Sequence, residues 1–187
     1  MTESRNYLQK YAMHFGTYMG IYWTLKFILV PLGFTIPFLM SLYSGLTLAV
    51  PFMGYYYVKI YRDKVCGGTI TFAHSCFFTL FMYMFASLLV AVAHYLYFQF
   101  IDHGLILEEY SKAINQFLVQ TPGMETEKLA LKNILESLYN LTPIDITMQL
   151  LSFDVFSGSL LAIPTALFVM KQNKNQSMQD KDASNRL

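Results

Sequence analysis

Residues 72–100 read FAHSCFFTLFMYMFASLLVAVAHYLYFQF, and this stretch decides the fold. It contains no Lys, Arg, Asp or Glu, and it carries a histidine towards each end, His74 and His94. As a helix it would run roughly 43 Å at 1.5 Å per residue, against a bilayer hydrocarbon core of roughly 30 Å. It is too long and too apolar for a helix of a small soluble domain, so it predicts a membrane span. Composition agrees. The chain is 55% hydrophobic, 17% aromatic and 13% charged, where soluble domains carry about 25% charged residues. Its net charge of +1 gives no reason to expect a nucleic-acid partner.

Working outward, three further apolar runs follow the same logic, giving an all-α, integral membrane four-helix bundle. The expected spans cover residues 11–30, 36–58, 72–100 and 146–170 of a single transmembrane domain, 1–170. The first is read as a span and not a signal peptide, since no A-x-A cleavage pattern follows it. Gly16 and Gly20 form a GxxxG spacing that bares one helix face. Close packing inside the chain and a dimer seam both fit it, so a homo-oligomer stays open. Pro31-Leu32-Gly33-Phe34-Thr35 reads as a tight turn. The second span holds Ser41, Ser44 and Gly45, suited to a helix interface, and Pro51, which predicts a kink.

Residues 101–145 differ in kind. Leu107, Tyr110, Ile114 and Phe117 recur at helical spacing, as do Leu131, Ile134, Leu135 and Leu138. Thr121-Pro122-Gly123 separates them, so a helical hairpin is expected. Thr142-Pro143 with Asp145 in the next turn is a helix-start signal for the last span. Residues 171–187 form a polar tail, expected to be disordered.

Charge sets the orientation. Arg5, Lys10, Lys59, Arg62, Lys64, Lys171, Lys174, Lys181 and Arg186 fall at the two ends and in the 59–71 connection. Asp102, Glu108, Glu109, Glu125, Glu127, Glu136 and Asp145 crowd the 101–145 insertion, with only Lys112, Lys128 and Lys132. The positive-inside rule places both termini in the cytoplasm and the amphipathic hairpin outside, in a bacterial inner membrane.

Lys26 and Asp154 lie inside spans, where charges are costly and face a partner or a cavity. Their helical depths, together with that of His94, place all three in the outer third of the bilayer, with Ser41 and Ser44 at about the same level. Three readings fit. Lys26 and Asp154 pair, with His94 or a serine completing the hydrogen bonds; Lys26 snorkels to the interface; or the group forms a polar pocket for a lipid headgroup, a small anion or a proton. His14 and His74 carry no role. Asp102-His103 lacks the further ligands a metal needs, and no metal or other cofactor is expected. Walker A, G-x-S-x-G and H-E-x-x-H motifs are missing from the sequence, so no enzyme is expected.

Tyr61-Arg62-Asp63, followed by Gly67-Gly68-Thr69-Ile70-Thr71-Phe72-Ala73, resembles the Y-R-D…G-G-x-I-x-F pattern of a Bacteroidota membrane family catalogued as domain of unknown function 4199. Tyr97-Phe98-Gln99-Phe100-Ile101-Asp102 resembles that family's F-I-D-P step, with His103 in the proline's place, which predicts a slightly longer helix. The resemblance implies four spans with an acidic insertion before the last. It also implies genes often near membrane-associated glycosyltransferases. Tyr61, Arg62, Asp63, Gly67 and Gly68 then read either as a structural loop with an internal Arg–Asp pair or as a docking loop for such an enzyme. The functional expectation is a non-enzymatic accessory or scaffold protein that binds partner membrane proteins or envelope lipids. The alternative is a small transporter or lipid-binding protein using Lys26, His94 and Asp154.

Orientation is testable by labelling. In a chain lacking Cys66 and Cys76, Asn115→Cys reacts with an impermeant maleimide in spheroplasts, whereas a cysteine appended after Leu187 reacts only after lysis. The opposite pattern would invert the topology.

Overall fold

The computed structural model describes residues 2–120 and 125–171. The described residues form helices α1 (Thr2–Phe27), α2 (Leu29–Thr35), α3 (Pro37–Lys64), α4 (Phe72–Phe100), α5 (Leu105–Gln120), α6 (Glu125–Tyr139) and α7 (Pro143–Val169). None of them forms a β-strand; one antiparallel bridge joins Ile70 to Lys171. Thr121-Pro122-Gly123 and the tail from residue 172 lie outside the described residues.

Local chemistry sets the helix ends. The Thr71 side chain accepts from the His74 amide at 3.4 Å and starts α4. Thr142 and Asp145 form a reciprocal capping box at α7, with Pro143 in the first turn, where its missing N–H is harmless. The expected turn at Pro31–Thr35 is instead helix α2. A proline ring clashes with the carbonyl four residues before it, here that of Phe27, so the break falls at Ile28 and Pro31 sits in the first turn of α2. The next break is Ile36, held extended at φ −124°, as the residue before a proline prefers. The second span was expected to end at Val58, but α3 continues through Tyr61, Arg62 and Asp63, which are therefore helical and not in a loop. Gly67 and Gly68 make the turn, at φ +64° and +85°, where other residues are strained. Helix α4 does not lengthen at His103. It stops at Phe100, and His103 adopts φ +45°. The cause is Asp102, whose carboxylate turns back to accept the Gly104 and Ile106 amides at 3.1 and 3.2 Å and caps α5.

Three helices are long and apolar enough to cross a membrane: α3, α4 and α7. Helix α1 matches them in length, but its Tyr, Thr, His and Lys residues dilute its hydropathy. Helix α4 is the axis, flanked by α1 and α7. Against α1 the helices run parallel through a glycine groove. A Cβ on Gly16 would fall 2.7 Å from the Met82 carbonyl oxygen, and one on Gly20 would fall 3.1 Å from that of Ala86. The GxxxG face is thus filled by α4 within the chain. On the other side, Gly158 of α7 presses on Tyr83, where a Cβ would sit 2.6 Å from the tyrosine Cβ. Helix α3 lies more loosely, meeting α1 where Tyr22 Oη donates to the Leu46 carbonyl at 2.7 Å.

The interior holds Met19, Phe78, Met82, Tyr83, Ala86, Val90, Ala162 and Ala166 among buried Ser75, Thr79, Ser87 and Thr165. The outside of α3, α4 and α7 carries Leu48, Phe52, Phe77, Val92, Phe153, Phe156 and Phe168. Hydroxyl groups inside with large apolar side chains outside suit a lipid solvent, since a soluble monomer rarely exposes so continuous an apolar belt. At one end, α5 and α6 pack as a hairpin, with Ser111 Oγ and Tyr139 Oη 2.9 Å apart and Leu135 buried. Phe34 of α2 meets Tyr110 of α5 edge-on at 6.1 Å.

Two glycine substitutions separate packing from propensity. Gly158→Ala drives a methyl into Tyr83 and is expected to lower stability by about 1–3 kcal/mol, the usual overpacking range. Gly45→Ala has open space around the new methyl. It leaves stability unchanged or raises it by up to about 1 kcal/mol through helix propensity. Thermal unfolding in detergent reads both.

Candidate functional site

Two groups of polar residues stand apart from the apolar body, one at each end. The first lies where α1 ends. Trp23, Lys26 and Phe27 share one face of its last turns. Lys26 Nζ donates to Thr47 Oγ1 at 3.2 Å and stands 4.9 Å from the Tyr43 ring centre and 6.0 Å from that of Trp23. A cation over aromatic faces gains part of what it loses on leaving water. Thr47 and Tyr43 are one turn apart on α3, and the Thr47 hydroxyl donates to the Tyr43 carbonyl at 2.8 Å. Trp23 stacks on Tyr83 at 5.8 Å and 20°.

His94 is buried on α4, with Phe27 edge-on at 4.2 Å. Phe27, next to Lys26, thus packs on His94, while Trp23, one turn before Lys26, stacks on the Tyr83 side chain that Gly158, one turn past Asp154, presses against. The three residues therefore gather in one layer, on α1, α4 and α7. They do not form the direct tie that charge pairing favours. No ion pair or hydrogen bond to Asp154 occurs among the described residues, and Lys26 has only Thr47 and its two rings. The buried His94 Nδ1 and Trp23 Nε1 have no hydrogen-bond partner. Ser41 and Ser44 stand on the exposed side of α3, and Ser44 Oγ donates to its own helix at Met40. Tyr43 and Thr47 take the place expected of the serines. Their i, i+4 spacing was visible in the sequence, but nothing there told which face of α3 turns inward.

The second group closes the opposite, basic end. Tyr61 is buried and stacks on Phe78 at 3.9 Å and 9°, and its hydroxyl meets His74 Nε2 at 2.9 Å. His74, given no role from the sequence, is thus the partner of Tyr61. Arg62 does two jobs. Its Nε pairs with Asp63 at 2.7 Å, and its Nη1 donates to the Val169 carbonyl at 3.0 Å, satisfying the last turn of α7. Gly68 N donates to the Arg62 carbonyl at 2.9 Å, and Ile70 and Lys171 exchange two backbone bonds of 3.0 Å. Tyr61 and Arg62 are thereby committed to holding α3, α4 and α7 together. Lys59, Asp63, Lys64 and Gly67 remain on the surface.

Residues 14–171 match the family described as Protein of unknown function (DUF4199). The chain belongs to that family. No curated protein and no solved structure matches it. In this DUF4199 chain the matched stretch runs to Lys171, the residue whose backbone closes the basic end on Ile70. It therefore takes in both polar groups.

A cavity of about 350 Å³ lies between α6 and α7, lined by Asn133, Ile134, Ser137, Leu138, Leu141 and Gln149. Ser137 Oγ is engaged with the Asn133 carbonyl at 2.8 Å. Among the described residues no group of three or more His, Cys, Asp or Glu side chains could hold a metal ion. On α5, outside the spans, Glu109 and Glu108 clasp Lys112 at 2.8 and 2.9 Å and raise its pKa.

The two roles of Arg62 predict an order of effects. Arg62→Ala removes the cap on α7 and is expected to lower stability by about 1.5–3 kcal/mol, the range of a hydrogen bond to a charged group. Asp63→Ala breaks only the exposed pair and shifts the melting temperature less. Equal shifts would mean that the Val169 bond contributes nothing.

Proposed function

We propose that this DUF4199 protein is a non-enzymatic accessory or scaffold protein of the bacterial inner membrane. It crosses four times through α1, α3, α4 and α7, with both termini in the cytoplasm and the α5–α6 hairpin outside. The alternation of those four helices carries the reading. It collects Lys59, Arg62, Lys64 and Lys171 at one end, and Asp102, Glu108, Glu109 and Glu136 at the other, as the positive-inside rule requires.

The partner surface in this reading is α3. Its Ser41, Ser44, Gly45, Leu48 and Phe52 are exposed, and Gly45 has empty space where a Cβ would be. Small residues let helix backbones approach closely in lipid. The family resemblance suggests a membrane-associated glycosyltransferase as the partner. The exposed Lys59, Asp63 and Lys64 offer a rim of charge on the cytoplasmic side.

A second reading has one specific observation behind it. Four polar groups, Lys26, Asp154, Trp23 Nε1 and His94 Nδ1, share a layer without pairing with one another. Such a layer suits a lipid-binding protein or a small transporter.

Purification in mild detergent tests the first reading. A co-encoded glycosyltransferase is expected to co-purify at fixed stoichiometry and to be lost from Gly45→Leu, whose melting temperature stays that of the parent. Retention of the partner by Gly45→Leu would remove α3 as the docking face, and its absence from the parent preparation would end the scaffold reading.

A further inference from the structure

The outer polar layer is under-satisfied in a way that describes a ligand. The Lys26 ammonium has three donors and one protein oxygen, Thr47 Oγ1 at 3.2 Å. The Trp23 indole N–H can only donate, and it is buried with no acceptor in a residue 8% exposed. His94 is 7% exposed with Nδ1 equally bare. Asp154 is half-buried and accepts no hydrogen bond among the described residues. Buried polar groups in native proteins are almost always paired with protein, water or ligand, and in hydrocarbon the penalty for failing to pair is greater.

The simplest relief would be contact between Lys26 and Asp154. The two stay beyond ion-pair distance, yet they flank one wall: Lys26 is about one turn past Trp23, which stacks on Tyr83, and Asp154 is about one turn before Gly158, which presses on the same side chain. A cation and an anion held apart on two helices complement a molecule that carries the same two charges in reverse order. Lys26, standing over the Trp23 and Tyr43 rings, supplies donors for an anionic group. Asp154 supplies an acceptor for an ammonium. A simple anion would satisfy Lys26 but leave Asp154 bare and facing a like charge. A quaternary ammonium has no N–H to give Asp154.

Helices α1 and α7 offer lipid-facing apolar side chains next to the layer, Leu25 and Phe153, both exposed. Acyl chains can lie there while the headgroup enters between α1, α3 and α7.

We propose that this layer binds a phosphoethanolamine headgroup, with its phosphate at Lys26 and its primary ammonium at Asp154, as part of a phosphatidylethanolamine molecule. The inference rests on the lipid-binding reading above and gives it a headgroup.

Trp23 is the single tryptophan of the chain, so its fluorescence reports on the site alone. The full chain is placed in vesicles of phosphatidylcholine, and phosphatidylethanolamine or phosphatidylglycerol replaces part of it. Phosphatidylethanolamine is expected to change Trp23 emission saturably at low mole fraction, and phosphatidylglycerol is not. Asp154→Asn and Lys26→Met each raise the half-saturating fraction by at least about tenfold, the loss of one ionic contact. Native mass spectrometry of the parent protein, which needs no variant, is expected to show phosphatidylethanolamine retained in preference to phosphatidylcholine. Equal responses to the three lipids, or an unchanged response in a folded Asp154→Asn, overturn the proposal. So does saturation by free phosphoethanolamine in pure phosphatidylcholine vesicles, which would move the ligand into solution. Saturable phosphatidylglycerol binding without a preference for phosphatidylethanolamine overturns the headgroup but keeps the lipid-binding reading. Retention of no lipid at all ends both.

Discussion

Everything in this fold depends on how closely two helices can approach α4. Between helices in lipid there is little hydrophobic drive, so association rests on packing and on polar contacts. Gly16 and Gly20 lower the surface of α1 until backbone meets backbone at Met82 and Ala86. Gly158 does the same for α7 at Tyr83. Tyr83 then becomes a shared wall. Trp23 stacks on it from α1, Gly158 rests against it from α7, and its hydroxyl points at the Val50 carbonyl of α3. With α4 held on two sides, α3 is left the loosest of the long helices and keeps an uncovered face.

The two ends of the bundle treat polar groups in opposite ways. At the basic end the charged and aromatic donors that are not at the surface are engaged, and the buried Ser75 hydroxyl is left without a partner among the described residues. Arg62 caps α7, Tyr61 meets His74, and Ile70 pairs with Lys171. Around Lys26 the donors remain open: Lys26 holds a threonine and two rings, and Trp23 Nε1 and His94 Nδ1 hold nothing. A protein needing only rigidity would join Lys26 to Asp154. The contrast between an engaged arginine and an open lysine makes the Lys26 layer the place to look for a ligand and the basic end the place to look for stability.

Most of the architecture could be read from periodicity and punctuation. The charge-free run ending at Phe100 is helix α4 from end to end, and Thr142 with Asp145 announces α7. The amphipathic stretches after Asp102 are α5 and α6. Misreadings share one cause, which is that side-chain chemistry acts at a distance along the chain. Pro31 breaks the helix not at itself but at the carbonyl of Phe27, four residues earlier. Tyr61 and Arg62 look like loop residues until Phe78 and Val169, far away in sequence, are seen to receive them. Depth along each helix puts Lys26, His94 and Asp154 at one level. Depth says nothing about rotation, and Thr47 and Tyr43, not Ser41 and Ser44, are what face Lys26. The missing ion pair was illegible for a further reason: opposite charges at one level predict attraction, but only backbone placement decides whether they touch.

The parallel α1–α4 groove and the closure of Lys171 on Ile70 have a consequence for how the chain is made. Synthesis proceeds from the N-terminus, so α1 and α4 can dock through Gly16 and Gly20 before α7 has left the ribosome. Until then the α7-facing side of Tyr83 is uncovered and Arg62 has no Val169 to cap. The final apolar helix completes both at once, and Lys171, just beyond it, seals the chain onto the turn before α4. Assembly therefore has a built-in last step, and a chain truncated before Val169 would carry an open flank of the kind that membrane quality-control proteases recognise.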